Sequence, residues 1–208
     1  MATQLSLYND ALIALGEREI GSLSENSPAR RALDAVWDTA SKYCLEQGYW
    51  NFATRTAKLT KEAGFVASFG YRNQFIKPSD FVRLAGMCSD AYFTSPLNQY
   101  VDEAGSWYAD LDTIYVSYIS NDSNYGNNLA RWPESFTTFV SLYLADTASK
   151  RITGEANALA EKVKMALVSS KSKDAMNGPT KFLPQGNWTR SRQGGGRRDG
   201  GNRGSLIG

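Results

Sequence analysis

The chain has no histidine among its 208 residues, and that absence removes much of the chemistry open to a protein. Ser–His–Asp and Cys–His nucleophiles and every histidine-containing metal site are excluded together. What remains is carboxylates and two thiols. Asp102, Glu103, Asp110 and Asp112 lie close enough in sequence to supply a pair of carboxylates for acid–base work. Solvated turn and strand-edge positions are the commoner use of such residues, and an enzyme of unknown type built on Asp102, Asp110 or Asp112 stays open as an alternative. Cys44 and Cys88 form no Cys-x-x-Cys motif and have no plausible base beside them. They read as free, buried thiols of a protein assembled in a reducing cytoplasm.

Two loops have the look of ligand sites. The run Asp122-Ser123-Asn124-Tyr125-Gly126-Asn127-Asn128 opens like a calcium loop. Pro133 occupies the place of the bidentate glutamate, however, and no helix pair frames the run, so a surface turn is expected. GGGRRDGG lacks the lysine and hydroxyl of a phosphate-binding loop, and no strand precedes it. No catalytic residue, metal site or cofactor is therefore predicted.

The last 23 residues, GNWTRSRQGGGRRDGGNRGSLIG, contain eight glycines and five arginines. Against one acid, Asp199, Arg190, Arg192, Arg197, Arg198 and Arg203 give this segment +4, while the body holds 18 bases and 20 acids, net −2. Any attraction to anions is thus concentrated in the tail. RNA-binding Arg-Gly-Gly segments repeat their triplet and intersperse aromatics for stacking. Here the triplet is absent and Trp188 is the lone aromatic. The tail reads better as a flexible docking segment that orders in a partner's groove. A nucleic-acid-binding accessory protein that uses this tail is the alternative.

The elements that would position these residues follow from period and punctuation. Hydrophobic residues make up 42% of the chain, enough for a core. Leu5, Tyr8, Leu12 and Leu15 recur at helical spacing before Gly16. Ser27-Pro28 is a helix start, and Ala29, Leu33, Val36, Trp37, Ala40 and Cys44 form one face of a helix expected to end at Gly48. From Trp50 the pattern turns strand-like through WNFATRTAKLT, QFIKP, DFVRLAGM, NQYVDEA and TIYVSYIS, whose spacing suits an antiparallel meander. In the last of these Ile114, Val116 and Tyr118 should face one way and Tyr115, Ser117 and Ile119 the other. The helical period returns after Trp132-Pro133 with Phe136, Phe139, Val140, Tyr143, Leu144 and Ala148, with Trp37 and Phe139 expected to be buried. A last helix, with Ala156, Leu159, Ala160, Val163 and Leu167, is expected to fade into KSKDAMNGP. The predicted fold is α+β: residues 1–49 plus 130–178 form an antiparallel helical bundle from both ends of the chain, residues 50–129 a central antiparallel β-rich insert, and residues 179–208 an extended tail. The N-terminus has no basic n-region and no long apolar stretch, so neither a signal peptide nor a membrane span is expected.

Several stretches, taken in order, resemble the tail tubular protein A family, the head-to-tail adaptors of short-tailed phages. LYNDALIALGEREIGSLSE and the long helix after it run into Gly48-Tyr49-Trp50-Asn51-Phe52-Ala53, similar to the family's Gly-Trp-x-Phe junction with one residue inserted. Phe75, Pro78, Asp80 and Arg83 are similar to its strand pair, and Glu103 through Tyr118 to its hairpin. WPESFTTFVSLYLADTASKRITG resembles the helix that returns onto the first half. The likeness spans roughly residues 4–170 and leaves the Gly/Arg tail outside. It implies a virion tail protein without enzymatic activity, assembled in the host cytoplasm. Its partners would be eleven further copies in a dodecameric ring, the portal protein above, the tail nozzle protein below, tail fibres, and genomic DNA passing through the lumen at ejection. On this reading the tail docks on the portal through Trp188, Arg190, Arg192, Arg197, Arg198 and Arg203, with contact to the passing DNA as the rival use.

Overall fold

Side chains near the start of the chain set the first two helices. Thr3 and Ser6 cap α1 (Gln4–Leu15) reciprocally: the Ser6 amide donates to Thr3 Oγ1 at 3.1 Å and the Thr3 amide to Ser6 Oγ at 3.0 Å. Gly16, at φ 76°, ends the helix in the left-handed conformation, and the amide of Glu17 closes back on the Leu12 carbonyl at 2.9 Å. Ser27 caps α2 (Pro28–Glu46) through the Arg30 amide, with Pro28 at the first helical position.

The computed structural model describes residues 2–67, 70–154 and 159–178. The tail at 179–208, with Trp188, Arg190, Arg192, Arg197, Arg198 and Arg203, lies outside the described residues, as does Ala156. The chain divides into units spanning Met1–Asn177 and Gly178–Gly208, and every element below belongs to the first.

The protein is α+β, with four helices and two three-stranded antiparallel sheets among the described residues. After a 3-10 turn at Asn51–Ala53 come β1 (Thr54–Thr60), β2 (Asn73–Ile76), β3 (Phe81–Cys88), β4 (Val101–Glu103), β5 (Ser106–Ala109) and β6 (Thr113–Ser120). A second 3-10 turn, Leu129–Arg131, leads into α3 (Glu134–Ile152), and α4 (Ala160–Asn177) closes the unit. Helix α3 packs against α1, α2 and α4. None of the described helices is long and apolar enough to cross a membrane.

The strands are antiparallel but not a meander. The sheet orders are β1-β6-β3 and β2-β5-β4, so the last strand inserts between the first and the third. Alternation within a strand identifies its faces but not its neighbour, and the pairing of β1 with β6 spans the whole insert. Strand β5, containing the fully buried Trp107, was not anticipated as a separate strand; Ala104 and Gly105, both at positive φ, make the tight turn before it.

Two cores meet at β6. Ile114, Val116 and Tyr118 are fully buried with Phe75, Met87, Trp107 and Ala109 in the sheet core. Ile119, on the opposite face, enters the helical core with Leu33, Cys44, Trp50, Phe136, Phe139 and Leu144. The expected two-faced pattern of this strand is thus what joins the halves. Phe139 is buried as expected, whereas Trp37 is only half-buried, set edge-on to Tyr8 and stacked on Trp132.

Three boundaries differ from the sequence reading. Trp50 does not begin a strand: its indole is buried in the helical core, the 3-10 turn intervenes, and pairing starts at Thr54. Helix α2 is not ended by a left-handed Gly48. Its last carbonyls are taken by side chains instead, Trp50 Nε1 donating to the Cys44 carbonyl at 3.1 Å and Arg83 Nη1 to that of Glu46 at 2.9 Å. Gly48 serves the first of these, because a Cβ there would sit 2.8 Å from the Trp50 ring. Nor does α4 fade at KSKD; it runs to Asn177 because Asp174 is tied to the start of the strand region.

Candidate functional site

The four carboxylates that could have made an acid–base site do not converge. Asp102 Oδ1 pairs with Lys77 Nζ at 2.6 Å, and its Oδ2 accepts from Trp107 Nε1 at 3.1 Å. Asp110 accepts from the Arg72 amide at 2.9 Å, and Asp112 pairs with Lys61 at 2.6 Å. Glu103 lines a groove of about 490 Å³ beside the β4–β5 turn, with Phe65, Val66, Tyr71, Val101 and Tyr108. Each of the three aspartates fixes a strand or turn. Among the described residues no group of three His, Cys, Asp or Glu side chains is placed to hold a metal ion. Cys44 and Cys88 are free and buried, and desolvation pushes both thiols up from their ordinary value.

The calcium-like loop is a turn. The Asp122 carboxylate accepts from the Asn124 amide at 2.8 Å, and its carbonyl from the amides of Tyr125 and Asn127. Gly126 is indispensable to it, since a Cβ would collide with the Ser120 carbonyl and crowd Leu45. The Gly126 carbonyl accepts from Trp132 Nε1 at 2.7 Å, which anchors the turn to the entrance of α3.

The polar groups that do converge lie among the strands and where the strands meet the helices. Asp80, in the turn between β2 and β3, accepts from Arg55 Nη1 at 2.8 Å, the Tyr118 hydroxyl at 3.1 Å and the Ser120 hydroxyl at 2.5 Å. Burial pulls this carboxyl up, but the bonds from Ser120, Arg55 and Tyr118 together outweigh it and hold Asp80 below the usual carboxylate value. The Tyr118 hydroxyl is pushed up to about 12, by desolvation first and then by the charge of Asp80. Arg55 also stands 5.4 Å from the Tyr125 ring centroid, which draws the 122–128 turn into the same set. Nearby, Arg83 reaches from β3 to the end of α2; besides the Glu46 carbonyl it bonds the Tyr49 hydroxyl at 3.2 Å and lies 4.3 Å from the Tyr49 ring centroid. A third tie comes from α4, where buried Asp174 accepts from the Asn51 amide at 3.0 Å and Asn51 Nδ2 donates to the Asp174 carbonyl at 2.8 Å.

Asp80 and Arg83 were singled out in the sequence by resemblance. Arg55, Ser120 and Asp174 were not. Asp174 offered one signal: an aspartate in the last turn of a helix opposes the macrodipole and needs a local reason to be there. Comparison with models of known protein families gives no match, and comparison with curated proteins gives no significant match.

Proposed function

We propose that this protein is a structural subunit of a head-to-tail adaptor ring in a short-tailed phage, joining portal to tail nozzle and forming part of the DNA ejection channel. One observation carries the reading. The residues on which the resemblance rests serve the joints of this fold: Trp50 and Arg83 close α2, Phe75 and Tyr118 fill the sheet core, and Asp80 ties three segments together. A family likeness held by joint residues is a likeness of framework, which is what an adaptor needs. In this reading α1 to α4 form the adaptor's antiparallel bundle and the two sheets its β-rich insert. The Gly/Arg tail docks on the portal through Trp188, Arg190, Arg192, Arg197, Arg198 and Arg203.

The test is reconstitution with a portal. Full-length protein mixed with portal rings should add a ring of density in negative-stain images. Deleting residues 186–208 should weaken that docking while leaving the body's melting temperature unchanged. If the truncated protein docks normally but loses affinity for DNA, with a shallower salt dependence, the tail serves nucleic acid and the accessory-protein reading replaces the docking one. If the full-length protein stays a monomer beside its portal, the adaptor reading fails.

A further inference from the structure

Helix α4 has two faces. Val163, Ala166 and Leu167 pack against the helical core, and Ser170 and Asp174 are buried beside them. On the opposite side Met165, Val168 and Met176 are 70%, 63% and 81% exposed, with Glu161, Ser169 and Ser172 on the same face. At about 100° per residue, Lys164 and Lys171 border this stripe on one side and Lys162 and Lys173 on the other. All four lysines are exposed, and none has a salt-bridge partner among the described residues. An exposed apolar stripe railed by one sign of charge calls for an apolar surface edged with the opposite sign.

The chain carries such a surface itself. Residues 1–159 hold 13 bases and 18 acids, net −5, against four lysines and two acids in α4. The Asn9 side chain bonds the Ile20 amide at 3.0 Å and carbonyl at 3.1 Å, which brings Glu19 back alongside Asp10, and α1 packs on α3, which Glu134 opens. Asp10, Glu19 and Glu134 are exposed and without a salt-bridge partner among the described residues, with exposed Arg18 beside Glu19. Their proximity registers in Asp10, whose carboxyl is raised by desolvation and then by the charges of Glu134 and Glu19. Ile13, one turn along α1 from Asp10, is 57% exposed.

We infer that the outer stripe of α4 is a contact between copies of this chain, seated on the acidic α1–α3 corner around Ile13 of a neighbour. Because the two patches differ, the contact is heterologous, and repeated contacts of that kind close into rings. The inference rests on the adaptor reading and supplies its subunit contact. A membrane is the poorer occupant: the stripe has no Trp, Phe or Leu and is interrupted by serine. From Glu161 to Met176 the face is only about 22 Å long. A single helix laid on one corner covers well under the ~800 Å² per partner of a stable pair. One contact is therefore weak and salt-sensitive, and holds copies together at low ionic strength or where many contacts close at once.

Sedimentation of the full chain over a concentration series tests this. Self-association should appear at low ionic strength and vanish near ~1 M salt, where charges are screened beyond about 3 Å. Reversing either patch, with Lys162→Glu/Lys173→Glu or with Asp10→Lys/Glu19→Lys, should weaken association roughly tenfold or more. Mixing the two variants should restore it, since each then offers a patch that fits the other. Unchanged melting temperatures establish that both variants fold. Association that ignores either reversal, or a mixture that fails to recover, overturns the inference. So does a wild type that stays monomeric at low salt, or one that binds phosphatidylserine vesicles through Met165 while showing no self-association. The adaptor reading fails separately: a ring that forms on the portal with Lys162→Glu/Lys173→Glu as readily as with wild type sinks this contact and leaves that reading standing.

Discussion

Removing the Asp80 carboxylate should cost about 3–5 kcal/mol, and the figure can be built from its partners. In Asp80→Ala the Tyr118 hydroxyl, on a fully buried side chain, loses its acceptor. A buried donor left unpaired costs about 1–3 kcal/mol. Ser120, also fully buried, still accepts from the Asp122 amide but loses the acceptor for its own hydroxyl, a second penalty of the same order. Arg55 matters less: its side chain is 37% exposed, so it can turn to water, and the ion pair adds only about 0–1 kcal/mol. For a folded unit of this size each kcal/mol moves the melting temperature by roughly 2–4 °C, so a drop of about 10 °C is expected.

Urea unfolding followed by tryptophan fluorescence measures the loss directly, and pH gives a second handle. A carboxyl held low in the folded state gives stability that is present above its ordinary value, near pH ~4, and is lost as pH falls through the lower folded value. The stability gap between wild type and Asp80→Asn should therefore narrow as pH drops below about 4. Asp174 pulls the other way, since desolvation raises its carboxyl despite the bond from the Asn51 amide, but it is common to both proteins and cancels in the comparison. A cycle with Tyr118→Phe should return a coupling of about 1 kcal/mol or more. A loss below about 1 kcal/mol in Asp80→Ala, or a gap that ignores pH, would refute the account of this joint.

Further changes probe other parts of the frame. Phe139→Ala, deep in the helical core, should cost about 3–5 kcal/mol by urea unfolding; under 1 kcal/mol would mean the site collapses around the gap. Gly126→Ala should destabilise by about 1–3 kcal/mol because its methyl meets the Ser120 carbonyl, while Gly86→Ala, with nothing within 4 Å of the added Cβ, should fall within about 0.5 kcal/mol on packing grounds. Asp174→Ala should raise hydrogen exchange in the last turns of α4 and at Asn51 far more than in α1; uniform protection would show that the Asp174–Asn51 tie does not hold α4 down.

What could be read from the sequence was local. Ser27-Pro28 announced α2 through capping chemistry, Gly16 ended α1 through its positive φ, and the alternation in TIYVSYIS separated the two faces of β6. What could not be read depends on partners far along the chain. Pairing of β1 with β6 leaves no mark in the pattern of either strand, so the meander was the natural but incorrect arrangement. Tyr118 lies 38 positions from Asp80, and Asp174 lies 123 positions from Asn51. The carboxylates misled for the same reason. Asp102, Asp110 and Asp112 are close in sequence, yet strand geometry sends them to Lys77, the Arg72 amide and Lys61.

The same distinction separates framework from surface. The joint residues are individually irreplaceable in their geometry, since Asp80 must meet three donors and Arg83 must meet both a helix end and an aromatic face. The stripe on α4 and the acidic corner around Ile13 are specified differently, by charge sign and exposure, so many sequences would satisfy them. In the adaptor reading proposed above, the frame would set where the contacts point, and the contacts would decide what is held.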